Sequence, residues 1–110
     1  ASKSRGLGDV YKRQVLIAVS SSLTPSDSFR EMEDYAATAC SIQNFCLSLW
    51  GNGIGTQWST GTITRADSTY EALGIPKDRE RIVGFLKVGY PEILPEKEKL
   101  DVESIRTYLP

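Results

Sequence analysis

"DYAATACSIQNFCLSLWGNGIGTQWSTG" (residues 34–61) is the stretch that decides the fold of this chain. Its first part, residues 34–50, contains no glycine or proline and predicts a helix. Apolar residues lie on nearly the whole circumference of that helix, and a helix of this kind must be buried on most sides. Because a chain of 110 residues holds little other protein to surround it, we expect the helix to pack against a partner chain or a further portion of the same domain.

Three glycines, Gly51, Gly53 and Gly55, follow the helix and lead into "TQWST", which has strand propensity. A dinucleotide-binding G-x-G-x-x-G loop instead follows a strand and opens a helix, so that class of site is excluded. Gly51 is predicted to end the helix in the left-handed conformation. Gly55 and Gly61 bracket the strand, where the backbone is expected to approach another group closely.

Toward the amino terminus, "VLIAVSSS" (residues 15–22) predicts a short buried strand. Residues 1–14 are basic and without periodicity, and they are assigned to a leader, either a non-native linker-derived segment or a natural flexible one. The domain is therefore expected to span residues 15–110. Ser28 and Glu31 have the spacing of a capping box and predict the start of the long helix.

Toward the carboxy terminus, three further elements are predicted. Residues 68–71 form a second capping box before a short helix that stops at Gly74. Residues 81–91 predict an interior strand buried on both faces, in which Gly84 and Gly89 indicate close packing or a bulge. Asp101 is predicted to cap a last helix. The residues expected to share one face of that helix are Val102, Ile105, Tyr108 and Leu109.

The composition excludes several classes of function. A net charge of -1 provides no basic surface for nucleic acid, and the absence of histidine removes the commonest metal ligand and general base. Cys40 and Cys46 point to opposite faces of the predicted helix, so they are interpreted as buried, reduced thiols rather than a disulfide or a zinc site. No stretch approaches the roughly 18 apolar residues of a membrane-spanning helix. We therefore expect a cytoplasmic protein without metal, nucleic acid or membrane partners.

Four motifs, in this order, resemble the carboxy-terminal half of the FMN-dependent nitroreductase family: an alanine-rich helix with "IQN", then "GIGTQWSTG", "LGIP" and "IVGFLKVGYP". The likeness covers residues 15–110 and is strongest over residues 33–91. It implies an α+β, nitroreductase-like fold, a flavin-binding α/β sandwich of which this chain is an incomplete carboxy-terminal portion. It also implies a homodimer with FMN at the dimer interface.

The same resemblance implies an FMN-dependent NAD(P)H oxidoreductase. Hydride would pass from the reduced nicotinamide to flavin N5 and then to a small-molecule acceptor such as a nitroaromatic or a quinone. The cofactor carries this chemistry, so no catalytic side chain is expected.

By position in the family motif, Trp58, Ser59, Thr60 and Gly61 would border the isoalloxazine ring. The main-chain N–H groups of Thr60 and Gly61 would point at flavin N5 and O4, where such donors stabilise developing negative charge. Core packing is the alternative role for Trp58, and ordinary strand polarity is the alternative for Ser59 and Thr60.

Three basic residues are weaker candidates. Lys97 and Lys99 lie near the position of a basic residue that binds the FMN phosphate in the family, and Arg65 could reach a phosphate or a substrate carboxylate. For all three, the alternative is a solvated surface charge.

The chain departs from the family pattern at its start. The arginine pair and serine that bind the FMN phosphate and ribityl chain in the family are not matched, and "YKRQ" (residues 11–14) is not counted as their equivalent. We therefore expect the intact parent protein to be an FMN oxidoreductase, and this chain alone to bind FMN weakly and to be inactive. The alternative is a small non-catalytic α+β module that dimerises through residues 34–50.

Overall fold

The computed structural model of the protein describes residues 11–94 and 96–110, with side chains from Val15 onward. Strands and helices alternate as predicted, and a 3₁₀ turn is added between β2 and α2. In chain order the elements are β1 (Tyr11–Ser22), α1 (Ser28–Trp50), β2 (Gly55–Ser59), the 3₁₀ turn (Thr62–Thr64), α2 (Asp67–Leu73), β3 (Glu80–Pro91) and α3 (Val102–Ile105).

The three strands form one antiparallel sheet in the order β1-β3-β2. The prediction that residues 81–91 form an interior strand is therefore confirmed. The register between β1 and β3 shifts twice, between Arg13 and Val15 and between Val19 and Ser20. Each shift lies opposite one of the two glycines of β3, as expected for bulges.

Both faces of β3 are buried, each in a separate apolar cluster. On one side, Val83, Leu86 and Val88 pack with Ile42 of α1. On the other, Ile82 and Phe85 pack with Tyr70 of α2. The sheet is thus sandwiched between the two helices, and this arrangement explains why β3 shows no polar alternation.

Most of α1 stays uncovered. Ile42 is its one buried residue among the part of the chain that the structure describes. Cys46 is half-buried and Cys40 is exposed, so the prediction of a buried thiol is wrong for Cys40. Large apolar side chains on several sides of α1 are exposed: Phe29, Met32, Tyr35, Phe45, Leu47 and Trp50.

Strand β1 begins at Tyr11, four positions before the predicted start at Val15. Backbone pairing with the end of β3 extends the strand, since Tyr11 lies opposite Pro91 and Lys12 opposite Tyr90. The strand therefore extends into residues 11–14, which the sequence pattern assigned to the leader. Residues 1–10 of that leader lie outside the described residues.

The helix starts differ from the predicted capping boxes. Asp27, not Ser28, caps α1, because its carboxylate accepts a hydrogen bond from the main-chain N–H of Arg30 at 3.1 Å. Helix α2 begins at Asp67, so Ser68 already lies inside it, and no side chain caps its Ala66. In both helices an aspartate precedes the predicted serine, as the cap of α1 and as the first residue of α2, which satisfies the preference for acidic groups at a helix start.

The turn after α1 uses its glycines differently from the prediction. Gly51 has φ -60 and ψ -19, a right-handed conformation, so its assignment as a left-handed cap is wrong. Gly53, with φ 76, makes the left-handed turn instead. The amide N–H groups of Gly51 and Gly53 donate to the carbonyls of Leu47 and Trp50. The prediction that Gly74 stops α2 is confirmed by its φ of 69.

The last predicted helix is much shorter than expected. Helix α3 covers only Val102–Ile105, and Tyr108 and Leu109 lie beyond it. The side chain of Asp101 does not cap it. All described residues from Glu92 onward are exposed, and an amphipathic helix without a surface to pack on gains little stability.

Candidate functional site

The candidate site lies where β2 ends. Ser59 is the last residue of β2, and Thr60 and Gly61 lead from it into the 3₁₀ turn. Gly61 has φ 154 and ψ -167, a combination essentially confined to glycine. A Cβ placed on Gly61 would meet nothing within 4 Å. The backbone therefore requires glycine here for its conformation, and the space beside it is open.

The main-chain N–H groups of Thr60 and Gly61 are adjacent and unpaired. Within residues 11–94 and 96–110, no group accepts a hydrogen bond from either one. The carbonyl of Gly61, in contrast, accepts from the N–H of Thr64 at 3.0 Å and from its hydroxyl at 2.7 Å. The 3₁₀ turn thus fixes this segment through its carbonyl and leaves two donors available.

Trp58 is seated against the central strand. It lies directly opposite Leu86 in the β2–β3 register, and its indole covers Gly84. A Cβ on Gly84 would lie 2.6 Å from Cδ1 of Trp58 and 3.2 Å from the carbonyl oxygen of Ser59. The prediction of close packing at Gly84 is confirmed. Trp58 remains 38% exposed, so one part of the indole packs and another faces outward.

A cavity of about 680 Å³ adjoins the end of β2. It brings Thr60 and Arg65, two of the predicted site residues, to one place, between the start of α1 and the start of β3. Its polar and charged lining consists of Tyr35, Thr60, Thr64, Arg65, Tyr70, Lys77, Glu80 and Arg81, and its apolar lining of Leu23, Ile82 and Val83.

Most charges around the cavity are paired. Glu80 accepts a hydrogen bond from the hydroxyl of Ser20 at 2.6 Å, and Arg81 lies 3.9 Å from the carboxylate of Glu31. Lys77 donates to the carboxylate of Asp67. That hydrogen bond, followed by the positive charge of Lys77, lowers the pKa of Asp67 below its ordinary value. In the described part of the chain, the guanidinium of Arg65 forms no ion pair, so it is available to a ligand.

Lys97 and Lys99 are not brought to this cavity. Both are exposed and lie in the segment between β3 and α3. They do not line the cavity that Thr60 and Arg65 share.

Most residues that line the cavity were not predicted from the sequence as site residues, and neither was Gly84. Tyr35, Lys77 and Arg81 line the cavity from three separate elements or loops, and Gly84 seats Trp58. Only Gly84 gave a signal, as a glycine inside an apolar strand. The other three depend on which segments the sheet brings together.

Two other classes of site find no support in the described residues. No group of three or more histidine, cysteine, aspartate or glutamate side chains there is placed to hold a metal ion. Among the helices of that part, none combines the length and the apolar character needed to cross a membrane.

A protein-family model matches most of the chain. Residues 4–90 match the model described as the nitroreductase family. This match includes the helix, the β2 segment and β3, and it begins inside the segment that the sequence pattern assigned to a leader.

Comparisons with individual proteins agree. The chain is 39% identical over 67 residues to the Bacillus subtilis protein named "Putative NAD(P)H nitroreductase YfhC", a match that covers 61% of this chain and 34% of that protein. A solved structure of a nitroreductase-like family protein from Bacillus cereus superposes with a TM-score of 0.78 at 31% identity, covering 88% of this chain and 51% of that one. The chain thus spans about a third and about half of their lengths.

A more distant structure shows the same fold. It comes from Desulfovibrio desulfuricans, is described as "a putative nitroreductase in complex with fmn", and superposes with a TM-score of 0.72 at 20% identity, covering 89% of this chain and 56% of that one. The nitroreductase-like α+β fold implied by the sequence motifs is therefore confirmed.

Proposed function

This chain belongs to the nitroreductase family, and from that premise we propose that it forms the carboxy-terminal part of an FMN-dependent NAD(P)H oxidoreductase. The observation that carries the proposal is the pair of N–H groups on Thr60 and Gly61, which find no acceptor among the described residues and lie beside open space at the end of β2. When bound, FMN would supply hydride transfer from NAD(P)H to an acceptor such as a nitroaromatic or a quinone.

The two amides would bind the electron-accepting edge of the flavin ring, at N5 and O4. They suit this role because the strand and the 3₁₀ turn already hold them in place, so no backbone reorganisation is needed when charge develops. Gly61 fits the same role, since no Cβ stands between the backbone and a planar group. Trp58 and Ser59 would border the ring, and Gly84 would keep the indole in position.

Lys97 and Lys99 would bind the FMN phosphate, and Arg65 would bind an anionic part of the substrate. The two lysines lie in an exposed segment, which a bound phosphate would order through charge-assisted hydrogen bonds. Arg65 already lines the cavity beside Thr60.

We also propose that the working protein is a homodimer, in which α1 contributes to the subunit interface. The support is the exposed apolar surface of α1, where Phe29, Met32 and Leu47 are 64%, 63% and 58% exposed. Phe29 and Met32 lie about one helical turn apart, and exposed apolar patches mark interaction sites.

The flavin proposal is tested by reconstitution of the full-length protein with FMN. We expect a flavin absorbance in stoichiometric amount, and only weak FMN binding by the 110-residue chain alone. A full-length protein that folds, dimerises and stays colourless would contradict the proposal. Stoichiometric flavin on the chain alone would contradict the second expectation.

Two substitutions locate the flavin. Gly61→Ala should weaken FMN binding by about tenfold or more, because a side chain strains this backbone by about 1–3 kcal/mol. Gly51→Ala is the matched control, since Gly51 has an ordinary helical φ of -60. Equal FMN affinity in the two variants would show that Gly61 does not contribute to FMN binding.

The phosphate role of the lysines is tested by comparing FMN with riboflavin, which lacks the phosphate. Lys97→Gln with Lys99→Gln should weaken FMN binding by about tenfold or more and leave riboflavin binding unchanged, given about 1.5–3 kcal/mol per charged hydrogen bond. Equal losses for both flavins would assign the lysines a structural role instead.

A further inference from the structure

Lys77 joins three segments of the chain through one ammonium group. Its Nζ donates to the main-chain carbonyl of Arg65 at 2.8 Å and to the carboxylate of Asp67. The same Nζ lies 5.3 Å from the ring centroid of Tyr70, within the range of a cation–π contact. Lys77 itself belongs to the loop that leads into β3. It therefore ties that loop to α2 and to the end of the 3₁₀ turn.

Tyr70 anchors this arrangement in the core. It is 5% exposed, and its hydroxyl accepts a hydrogen bond from the main-chain N–H of Ile82 at 2.8 Å. Ile82 is a buried residue of β3. Through Tyr70, Lys77 is thus anchored to β3, the most buried strand of the described residues, and not only to a surface loop.

Arg65 is the residue that this arrangement holds in place. Its N–H donates to the carbonyl of Thr62 at 3.0 Å, which closes the 3₁₀ turn, and its carbonyl is held by Lys77. Arg65 lines the cavity that Thr60 also lines. The backbone on both sides of the Arg65 side chain is therefore fixed, while its guanidinium has no ion-pair partner among the described residues.

We propose that Lys77 is a positioning residue that holds Arg65 at the cavity, where the guanidinium binds an anionic group of the substrate, a carboxylate or a phosphate. Guanidinium recognises both through paired hydrogen bonds. The role of Lys77 rests on the proposed function only in taking this cavity as the substrate site. A carboxylate would belong to the electron acceptor and a phosphate to the pyridine nucleotide.

The first experiment measures amide hydrogen exchange in the full chain without flavin. Lys77→Met keeps the apolar stem and removes the ammonium, so the amides of Thr64, Arg65 and Ala66 should exchange about three- to tenfold faster. Lys77→Arg should retain most of the protection, and amides of β3 should not change. Arg30→Gln, which removes an exposed ion pair with Asp34 on α1, is the control. Unchanged exchange at Arg65 in Lys77→Met would overturn the proposal.

The second experiment measures anion binding, again without flavin. Para-nitrobenzoate and inorganic phosphate are titrated against the Arg65 Nε–H resonance, with neutral para-nitrobenzamide as the control ligand. At least one anion should shift the resonance, and Lys77→Met should weaken its binding about three- to tenfold. Arg65→Gln should abolish the binding, and the double variant should match Arg65→Gln alone, since Lys77 acts through Arg65.

Each outcome of the titration decides the question. A shift with para-nitrobenzoate alone assigns the cavity to the acceptor, and a shift with phosphate alone assigns it to the nucleotide. If neither anion shifts Arg65, or if Lys77→Met binds anions as the wild type does, the proposal is overturned. Neither experiment uses FMN, so failure of flavin reconstitution is distinguishable from failure of this proposal.

Discussion

Strand β3 and helix α1 both contain many apolar residues, but β3 is covered on both faces whereas α1 is not. Residues 82–86 of β3 are buried without interruption, whereas α1 buries Ile42 and exposes much of its remaining apolar surface. Strand β3 has a strand on each edge and a helix on each face. Helix α1 has the sheet on one side only. Apolar composition therefore indicates that an element needs neighbours, but not whether the same chain supplies them.

The largest expected effect compares one leucine from each element. Leu86→Ala should lower the free energy of unfolding by about 2–5 kcal/mol, because Leu86 is 1% exposed and its loss leaves a cavity. Leu47→Ala, at a position 58% exposed, should change it by less than about 0.5 kcal/mol. Urea denaturation of the chain at low concentration measures both. Similar losses would mean that α1 is covered in solution even in the single chain.

The second prediction compares a glycine of β3 with the glycine that follows α1. Gly84→Ala should destabilise the protein by about 1–3 kcal/mol, since its methyl group would displace the indole of Trp58. Gly51→Ala should be neutral or stabilising by about 0.4–1 kcal/mol, because its φ of -60 suits alanine. Tryptophan fluorescence during denaturation follows both the stability and the indole. A stable Gly84→Ala variant with unchanged fluorescence would disprove the close packing.

The third prediction concerns the start of α1. Asp27→Ala should cost about 1 kcal/mol, the usual value of a side-chain cap, because its carboxylate binds the N–H of Arg30. Ser28→Ala, the position predicted from the sequence, should change the free energy of unfolding by less than about 0.5 kcal/mol. Helicity by circular dichroism and urea denaturation distinguish the two. A larger loss of stability in Ser28→Ala than in Asp27→Ala would identify Ser28 as the cap.

The smallest effect is a dependence on pH near α2. Lys77 lowers the pKa of Asp67, so the ionised carboxylate is favoured in the folded state. This contribution is present at pH values above the ordinary aspartate pKa and is lost as the pH falls through the lowered value. Because Asp67 is exposed, the change should be small and should weaken further with salt. Acid titration of the wild type and of Asp67→Asn, followed by their stability, measures this contribution. Identical curves for the two proteins would show that the pairing of Lys77 with Asp67 does not stabilise the fold.

The sequence was sufficient for the order of elements but not for their ends. The prediction of β3 succeeded because its apolar run contains no polar alternation to leave one face in water. The predicted helix start at Ser28 was wrong because Asp27, one residue earlier, caps α1. The predicted start at Ser68 was wrong because α2 already begins at Asp67, without a side-chain cap. The prediction that the last helix reaches Tyr108 was wrong, because amphipathic spacing stabilises a helix only where its apolar face packs on another surface.

The site was predictable only where one segment contains it. Trp58, Ser59, Thr60 and Gly61 are consecutive, so a motif names them together, and their role in flavin binding stays a prediction. The cavity is different, because α1, the 3₁₀ turn and the loop before β3 each contribute to it. The residues next to Lys77 in the sequence do not indicate its role, because its partners, Arg65 and Asp67, lie on a preceding segment.

The pairing of the first strand with the last has a consequence for the order of events during synthesis. Ser22 lies opposite Glu80 and Val15 opposite Val88, so every pairing between β1 and β3 closes a loop that contains α1, β2 and α2. Non-local pairing of this kind is slow to form. Helix α1 emerges from the ribosome before β3, so its apolar surface stays exposed to water until β3 follows. A chaperone would therefore have its largest effect at this stage.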